Sequence, residues 1–315
     1  MEYREFEEIV IRRIKELTNE NAEVTLHSVS KNNGIRLNGV VILRENEKIS
    51  PTVYLEPFFE EYEEGGDMED IVSRIIRLCN EQRDGFDFDV EDFRNIDKTR
   101  EKIFYKLVNY EKNKELLLTI PYRRVLDLAI VYYVIVSCNE LGSGSILIKN
   151  EHLEFWNISE EELFVYADSN TPEKLAREIK SMSEVIAEYA GRGNAAEIDE
   201  DGFTDALIEE LNEFSEEAPV KMFVMTNKTG LNGAAVILYE GAVKSFAEKT
   251  GFDVYILPSS IHEVILVPAT PAAEAGALLD LVREVNAGSV STEEWLSDNI
   301  YYYSNSEDTI KVIEC

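Results

Sequence analysis

The longest apolar run of the chain, LAIVYYVIV, covers only nine residues, from Leu128 to Val136. A helix needs about 20 apolar residues to cross a bilayer, so this run is far too short for a membrane span. Short runs that are rich in Val, Ile and Tyr are typical of buried strands. We therefore expect a core strand at 128–136 in a protein that is not a membrane protein.

Several shorter β-type runs follow one another in pairs that favour hairpins. AEVTLHSVS and IRLNGVVIL flank Asn33-Gly34, a dipeptide that tolerates the positive φ angles of a tight turn. NIYYYSNSEDTIKVIE predicts another hairpin around Asn305 and Ser306. Helical patterns lie between such pairs. The sequence thus predicts an α+β fold with mixed, largely antiparallel sheets, helices packed on them, and two subdomains.

Helical periodicity predicts a first helix over residues 2–17, with Phe6, Val10 and Ile14 on its apolar face. A second predicted helix, over 67–82, has Asp67 as its N-cap. A third is capped by Ser159, with Glu162 three residues later.

Four further segments receive local predictions. Helices are expected over 99–116 and over 171–190, with Pro172 in the first turn of the latter. Strands are expected over 116–121 and 234–240.

Two polar, glycine-containing breaks, at 83–97 and 191–202, suggest boundaries. We expect four regions, which are an N-terminal α+β subdomain (1–95), a central helix-strand region (96–190), an acidic insert or linker (191–217) and a C-terminal α+β subdomain (218–315).

The segments 33–43 and 228–238 both place Leu-Asn-Gly before a β-rich run. Either a duplicated unit or a shared turn explains this similarity.

The balance of charge is strongly acidic. The chain has 62 acidic and 31 basic side chains and a formal net charge of −31, which repels nucleic acid and anionic membranes. Direct binding of nucleic acid is therefore not expected. The stretches 56–70 and 197–217 contain eight and ten acidic residues and no basic one. They favour either solvated faces of amphipathic helices or a surface that mimics nucleic acid.

Other patterns predict a cytoplasmic protein without cofactor or metal. The N-terminus is charged from its second residue and has no apolar signal segment. Cys79, Cys138 and Cys315 are far apart and form no CxxC motif, which favours reduced thiols. A calcium loop that starts at Glu197 would put Ile208 at its twelfth position, where a bidentate glutamate is needed.

The stretch LPSSIHEVILVP, residues 257–268, gathers the polar groups that offer the most chemistry. Ser259, Ser260, His262 and Glu263 could belong to a hydrolase, but no G-x-S-x-G motif surrounds the serines. The position four after His262 is a leucine, so a zinc H-E-x-x-H motif is also absent. A hairpin with its turn at the serines explains every residue. These four side chains are the predicted binding residues.

Arg123 and Arg124 form a compact basic pair in this acidic chain. They could clamp an anion, or they could balance neighbouring carboxylates. Both are retained as candidate binding residues.

Six stretches together resemble a known bacterial family. They are VNYEKNKELL (108–117), PYRRVLDLAIV (121–131), NEHLEFWNISEEELFVYADSNTP (150–172), GAAVILYEG (233–241), YILPSSIHEVILVP (255–268) and LSDNIYYY (296–303). The chain resembles domain of unknown function 5688 from about residue 30 to the C-terminus, and more distantly domain of unknown function 1444. The resemblance implies a source among anaerobic gut Firmicutes, and it implies no activity.

These observations favour a non-enzymatic binding or adaptor protein that acts on an unknown protein or small ligand. One alternative is an acidic decoy that occupies the site of a DNA-binding protein. The other is an unrecognised hydrolase at the 257–264 hairpin.

Overall fold

The computed structural model describes residues 1–18, 22–45, 50, 52–84, 89–139, 142–191, 201–212, 220–258 and 260–313. The chain divides into two compact units. The first contains Met1–Thr99 and Ile135–Ile146, and the second contains Arg100–Val134 and Leu147–Cys315. No helix among the described residues is long and apolar enough to cross a bilayer.

The first unit packs helices on a small antiparallel sheet of order β1-β2-β3. Its core joins one face of the first helix (Phe6, Val10, Ile14) to strand residues such as Val40 and Ile42. The elements are α1 (Tyr3–Leu17), β1 (Ala22–Ser30), β2 (Arg36–Arg44), β3 (Thr52–Tyr54), α2 (Glu56–Glu63), α3 (Met68–Asp84), α4 (Val90–Arg94) and α5 (Ile96–Thr99).

Three local predictions for this unit are confirmed. Phe6, Val10 and Ile14 are fully buried along α1. The hairpin between β1 and β2 turns at Asn33 and Gly34, which have φ angles of 58° and 74°. The Asp67 carboxylate accepts hydrogen bonds from the first backbone N–H groups of α3, at 2.9 and 3.1 Å.

The rest of the chain builds two further sheets, and β6 and β7 contain residues of both units. The elements are β4 (Ile103–Asn109), α6 (Lys114–Leu117), β5 (Tyr122–Val125), β6 (Leu128–Asn139), β7 (Gly142–Leu147), α7 (Asn150–Trp156), α8 (Glu160–Lys174), β8 (Arg177–Ser181), α9 (Met182–Tyr189), α10 (Asp205–Asn212), β9 (Phe223–Asn227), α11 (Ala242–Thr250), β10 (Val254–Leu257), β11 (Val264–Pro268), α12 (Ala275–Gly288), β12 (Ile300–Ser304) and β13 (Thr309–Ile313).

The larger sheet has the order β13-β12-β10-β11-β9-β8, and its neighbouring strands are antiparallel. The other sheet has the order β4-β6-β5, with β7 also paired to β6. The strand predicted over 128–136 lies within β6; its residues 128–134 are buried, and 135 and 136 are partly buried. The antiparallel sheets and packed helices confirm the predicted α+β class.

Two predicted helices are wrong in the same way, because each contains a strand. Residues 103–109 form β4 instead of the middle of a helix, and β4 pairs with the buried strand β6 along its whole length. Between 171 and 190, α8 continues past Pro172 to Lys174, and β8 and α9 follow. Charged helix formers at the ends of these segments gave a helical pattern that strand pairing overrides.

Two predicted strands are wrong as well. Part of 116–121 belongs to the short helix α6, and residues 233–238 form a buried 3₁₀ helix.

The Leu-Asn-Gly similarity therefore has no structural counterpart. Asn38 and Gly39 lie inside β2, whereas Asn232 adopts a left-handed conformation with φ of 55° before the 3₁₀ helix. The two segments therefore do not share a turn.

Candidate functional site

The 257–264 segment is a hairpin, as predicted. β10 and β11 pair antiparallel, with Leu257 opposite Ile265. Their connection runs through residues 258–263, in which Ser259 lies outside the described residues and Ile261 is buried in the turn instead of lying on the return strand. His262 and Glu263 are both partly buried.

Both ring nitrogens of His262 face protein groups. The backbone N–H of Asn232 donates to Nδ1 at 3.1 Å, so the neutral ring carries its proton on Nε2. Nε2 lies 3.6 Å from a carboxylate oxygen of Glu294. The imidazole thus links the hairpin to the 232–233 turn on one side and to Glu294 on the other.

This geometry does not provide a serine nucleophile with a base. A general base must reach the proton that it removes, but Nδ1 of His262 already accepts from the backbone. The hydroxyl of Ser260 accepts a hydrogen bond from the backbone N–H of His262, at 3.0 Å, and so caps the turn. The contacts of these two residues hold the turn in place.

Glu263 lines a pocket of about 440 Å³ that opens beside the hairpin. Glu178 and Lys180 of β8 also line it: they are two residues apart and so lie on one face of the strand, and Glu178 opposes Thr226 of β9, which lines the pocket too. Val264 of β11 opposes Met225, so Glu263 comes to the position beside Thr226. Side chains distant in sequence thus converge beside Glu263.

Lys180 is already neutralised inside this pocket. Its ammonium lies 3.2 Å from a carboxylate oxygen of Glu178 and 2.9 Å from one of Glu188 on α9. Burial lowers the pKa of Lys180, but the two carboxylates outweigh burial and leave the pKa above its ordinary value. This lysine therefore has little capacity left to bind an anion.

Glu263 differs from these carboxylates because no described cation forms an ion pair with it in the pocket. Burial raises the pKa of its carboxyl, and the nearby His262 offsets only part of this effect. A partly desolvated carboxylate without a counter-ion is costly for the fold. A ligand cation would remove this cost.

The rim of the pocket exposes apolar side chains from α9. Tyr189 lines the pocket and is 91 % exposed, and Val185, one turn before it, also lines the pocket. Tyrosines in such positions often anchor protein interfaces, because they bury much area with few rotatable bonds.

Arg123 and Arg124 do not line this pocket, and they point to opposite faces of β5. Arg123 donates two hydrogen bonds to Glu160, at 2.8 and 3.2 Å, and its guanidinium stacks 4.0 Å from the ring of Phe164. The guanidinium of Arg124 lies 4.3 Å from the ring of Tyr110. Glu160 thus already occupies the bidentate face that Arg123 would offer to an anion.

The acidic stretch 56–70 is partly used for internal contacts. Glu56 accepts hydrogen bonds from the hydroxyl of Tyr3 and the backbone of Asn38, at 2.8 and 2.6 Å. Glu61 pairs with Arg74, and Glu69 lies 3.1 Å from Arg13. Of the second acidic stretch, 197–217, only residues 201–212 are described. The start of the calcium loop considered at Glu197 lies outside the described residues.

The sequence predictions included Glu263 but missed Glu178, Lys180 and Glu188. Glu178 and Lys180 are two residues apart, which is the spacing of one strand face. This spacing was not recognised because the pattern of residues 171–190 predicts a helix instead of a strand. Among the described residues no group of three potential metal ligands comes together.

The raised pKa of Glu263 predicts how its removal affects stability. A carboxyl whose folded pKa is raised destabilises the fold above that pKa, and the effect disappears at pH values below the unfolded pKa. Glu263→Gln is therefore expected to increase the free energy of unfolding at pH 7, and the gain should shrink as the pH falls. Urea unfolding of both proteins between pH 7 and pH 4 measures this difference. A less stable variant at pH 7 would contradict the prediction.

Comparison with known proteins places the chain in a family without an assigned activity. No curated protein and no solved structure matches it. The model of the family of unknown function DUF5688 matches residues 3–305, nearly the whole chain. The match begins well before residue 30, where the resemblance was first expected to start. The chain therefore belongs to the family of unknown function DUF5688.

Proposed function

We propose that the chain is a non-enzymatic binding protein, and that the pocket beside Glu263 recognises a cationic side chain of a partner protein. The observation that carries the proposal is the partly buried carboxylate of Glu263, which has no described ion-pair partner inside a pocket of about 440 Å³. Such a group stabilises a bound ammonium or guanidinium more strongly than an exposed carboxylate does.

The charge of the lining supports a cationic ligand. Three carboxylates, those of Glu178, Glu188 and Glu263, share the lining with two lysines, Lys180 and Lys228. Lys180 is held between the first two carboxylates, and Lys228 is exposed. Glu263 is thus the carboxylate with the most to gain from a ligand.

The exposed apolar rim supports a polypeptide partner over a free amine. Tyr189 and Val185 offer apolar contact in the lining of the charged pocket. A lysine or arginine side chain has an aliphatic stem that would pack on this rim while its charged end reaches Glu263. A free small cation would leave the side chain of Tyr189 exposed.

Two other functions receive less support. A hydrolase is disfavoured because Nδ1 of His262 accepts from the backbone N–H of Asn232 and the hydroxyl of Ser260 caps the turn. A decoy of nucleic acid needs carboxylates free to face a partner, whereas Glu56, Glu61 and Glu69 contact groups of their own chain.

Calorimetric titration with capped amino acids tests the proposal. Nα-acetyl-lysine amide and Nα-acetyl-arginine amide are expected to bind, and Nα-acetyl-norleucine amide, which lacks the charge, is not. Glu263→Gln should weaken binding of the cationic probes by roughly tenfold or more, because a hydrogen bond to a charged group is lost. Glu284→Gln removes an exposed carboxylate on α12, outside the pocket lining, and should change nothing.

Three results would speak against the proposal. Equal binding of the norleucine probe would show that charge is not recognised, and unchanged affinity in Glu263→Gln would place the cation elsewhere. Binding of putrescine without binding of the capped amino acids would identify a free amine as the ligand.

A further inference from the structure

A groove of about 670 Å³ runs along the outer face of α1 in the first unit. Its apolar floor contains Ile11 of α1 and Leu26 of β1, and Leu26 is 40 % exposed. Leu26 lies on the same face of β1 as the buried Val24. The core face of the strand therefore continues into the groove beyond the area that α1 covers.

The edge of the sheet lies beside this groove. In the described part of the chain, β1 pairs with β2 alone. β1 is nine residues long, contains no proline, and has Glu23 as its one acidic or basic residue apart from His27. Native edge strands are usually blocked by charges, prolines or bulges, so an edge of this kind readily accepts another strand.

Six charged residues of α1 line the groove; Glu7 and Lys15 balance each other, and the other four form a row that alternates in sign. Arg4, Glu8, Arg12 and Glu16 all line the groove and follow one another at intervals of four residues, which places them in one row along about 18 Å of helix. When such a row meets an antiparallel copy of itself, Arg4 lies opposite Glu16 and Glu8 lies opposite Arg12. The row is therefore complementary to itself.

This balance differs from the overall composition of the chain. Acidic residues outnumber basic ones by 62 to 31 overall, and a surface of that average composition repels a second copy. The four-residue row is neutral. It therefore allows two chains to approach at a place where the rest of the surface opposes contact.

We propose that this groove and the β1 edge bind a second copy of the chain around a two-fold axis. The two β1 strands pair antiparallel into one continuous sheet, and the two α1 helices lie antiparallel on the same face of it. Leu26 and Ile11 are buried in the contact. Glu8 pairs with the partner's Arg12, and Arg4 pairs with the partner's Glu16. Each ion pair occurs twice because the contact is symmetric.

Sedimentation equilibrium of the full chain over a range of concentrations tests the proposal. The wild type is expected to show a monomer–dimer equilibrium. Arg12→Glu should weaken dimerisation by roughly tenfold, because it places two like-charge pairs in the contact. Arg77→Glu changes the net charge equally but lies on α3 outside the groove lining, and it should have a much smaller effect.

Glu8→Arg separates local pairing from overall repulsion. It makes the chain less negative, so repulsion alone would predict a tighter dimer, whereas the proposed contact predicts a dimer weakened by roughly tenfold. The double variant Glu8→Arg with Arg12→Glu restores opposite charges across the axis and should recover most of the affinity. Circular dichroism verifies that each variant is folded.

The proposal is overturned if the wild type stays monomeric at all concentrations, or if Glu8→Arg tightens the dimer. A double variant that dimerises no better than the single variants would overturn it as well. A second, independent substitution is Leu26→Lys, which places a charge at the centre of the contact and should also reduce dimerisation.

Discussion

Asp127→Ala is expected to reduce the free energy of unfolding by about 3–5 kcal/mol, because three donors lose one shared acceptor. The Asp127 carboxylate accepts from the hydroxyl of Ser297 at 2.5 Å, the amide of Asn299 at 3.0 Å and the hydroxyl of Tyr301 at 2.7 Å. Asp127 lies in the tight turn between β5 and β6. Its contacts fasten this turn to the start of β12.

Burial makes this loss large. Ser297 is 1 % exposed and Tyr301 is fully buried, so water cannot replace the missing carboxylate without opening the packing. Burial, followed by the proximity of Asp127, raises the pKa of Tyr301 well above its ordinary value. The hydroxyl thus stays protonated and loses its carboxylate acceptor in the variant.

Urea unfolding measures the effect, with Asp280→Ala as the control. Asp280 is an exposed residue of α12, and surface substitutions of this kind usually stay within about 0.5 kcal/mol of wild type. If the free energies of unfolding of the Asp127→Ala and Asp280→Ala proteins differ by less than about 1 kcal/mol, the three hydrogen bonds do not stabilise the fold as described.

Gly233→Ala is expected to lower the free energy of unfolding by at least about 3 kcal/mol, which is the upper end of the usual effect of overpacking. A Cβ at this position would lie 2.1 Å from Oγ1 of Thr226, 2.4 Å from the carbonyl oxygen of His262 and 2.8 Å from the backbone nitrogen of Asn227. Two of these atoms belong to the backbone. The third cannot turn away freely, because Thr226 donates to the carbonyl of His262 at 2.7 Å.

The same substitution should affect the pocket. Thr226 and Glu263 both line it, and Gly233 lies against the Thr226–His262 contact. A shift that makes room for the new methyl group would move Glu263 relative to β9. Binding of the lysine and arginine probes should therefore weaken along with stability.

Gly276→Ala is the matched control, because a Cβ there meets no atom within 4 Å. Gly276 lies in α12, where alanine is favoured over glycine by about 0.5–1 kcal/mol. The control should thus be slightly more stable than wild type. If the Gly233→Ala protein is as stable as wild type, the backbone around His262 can shift to make room for the methyl group, which contradicts the prediction.

Patterns carried by a few neighbouring residues were predicted correctly from the sequence. Asn33-Gly34 identified its hairpin, and Asp67 and Ser159 identified the helix starts that they cap. In each case the energy that selects the structure comes from within about four residues, through a positive φ angle or a side chain that bonds a nearby N–H group. Such preferences do not depend on the rest of the fold.

The pocket could not be predicted because its members come together only through strand pairing. Glu178, Thr226 and Glu263 come from three strand regions, and their order across the sheet is set by the registers of β8, β9 and β11. The segment of Glu178 even has a helical pattern when read alone. Of these three residues, the sequence predicts only Glu263 as a binding residue, because it lies in a conspicuous polar turn.

The sequence by itself determined the class of fold, the hairpins and caps, most of the buried strand predicted at 128–136 and the excess of acidic residues, since each follows from local geometry, hydrophobicity or summed charge. The tertiary structure alone decided that 103–109 and 177–181 are strands, that Nδ1 of His262 accepts from the backbone of Asn232 and that Glu263 lines a pocket. These outcomes depend on which distant segments become neighbours, and the free energy of packing and pairing outweighs local preference there.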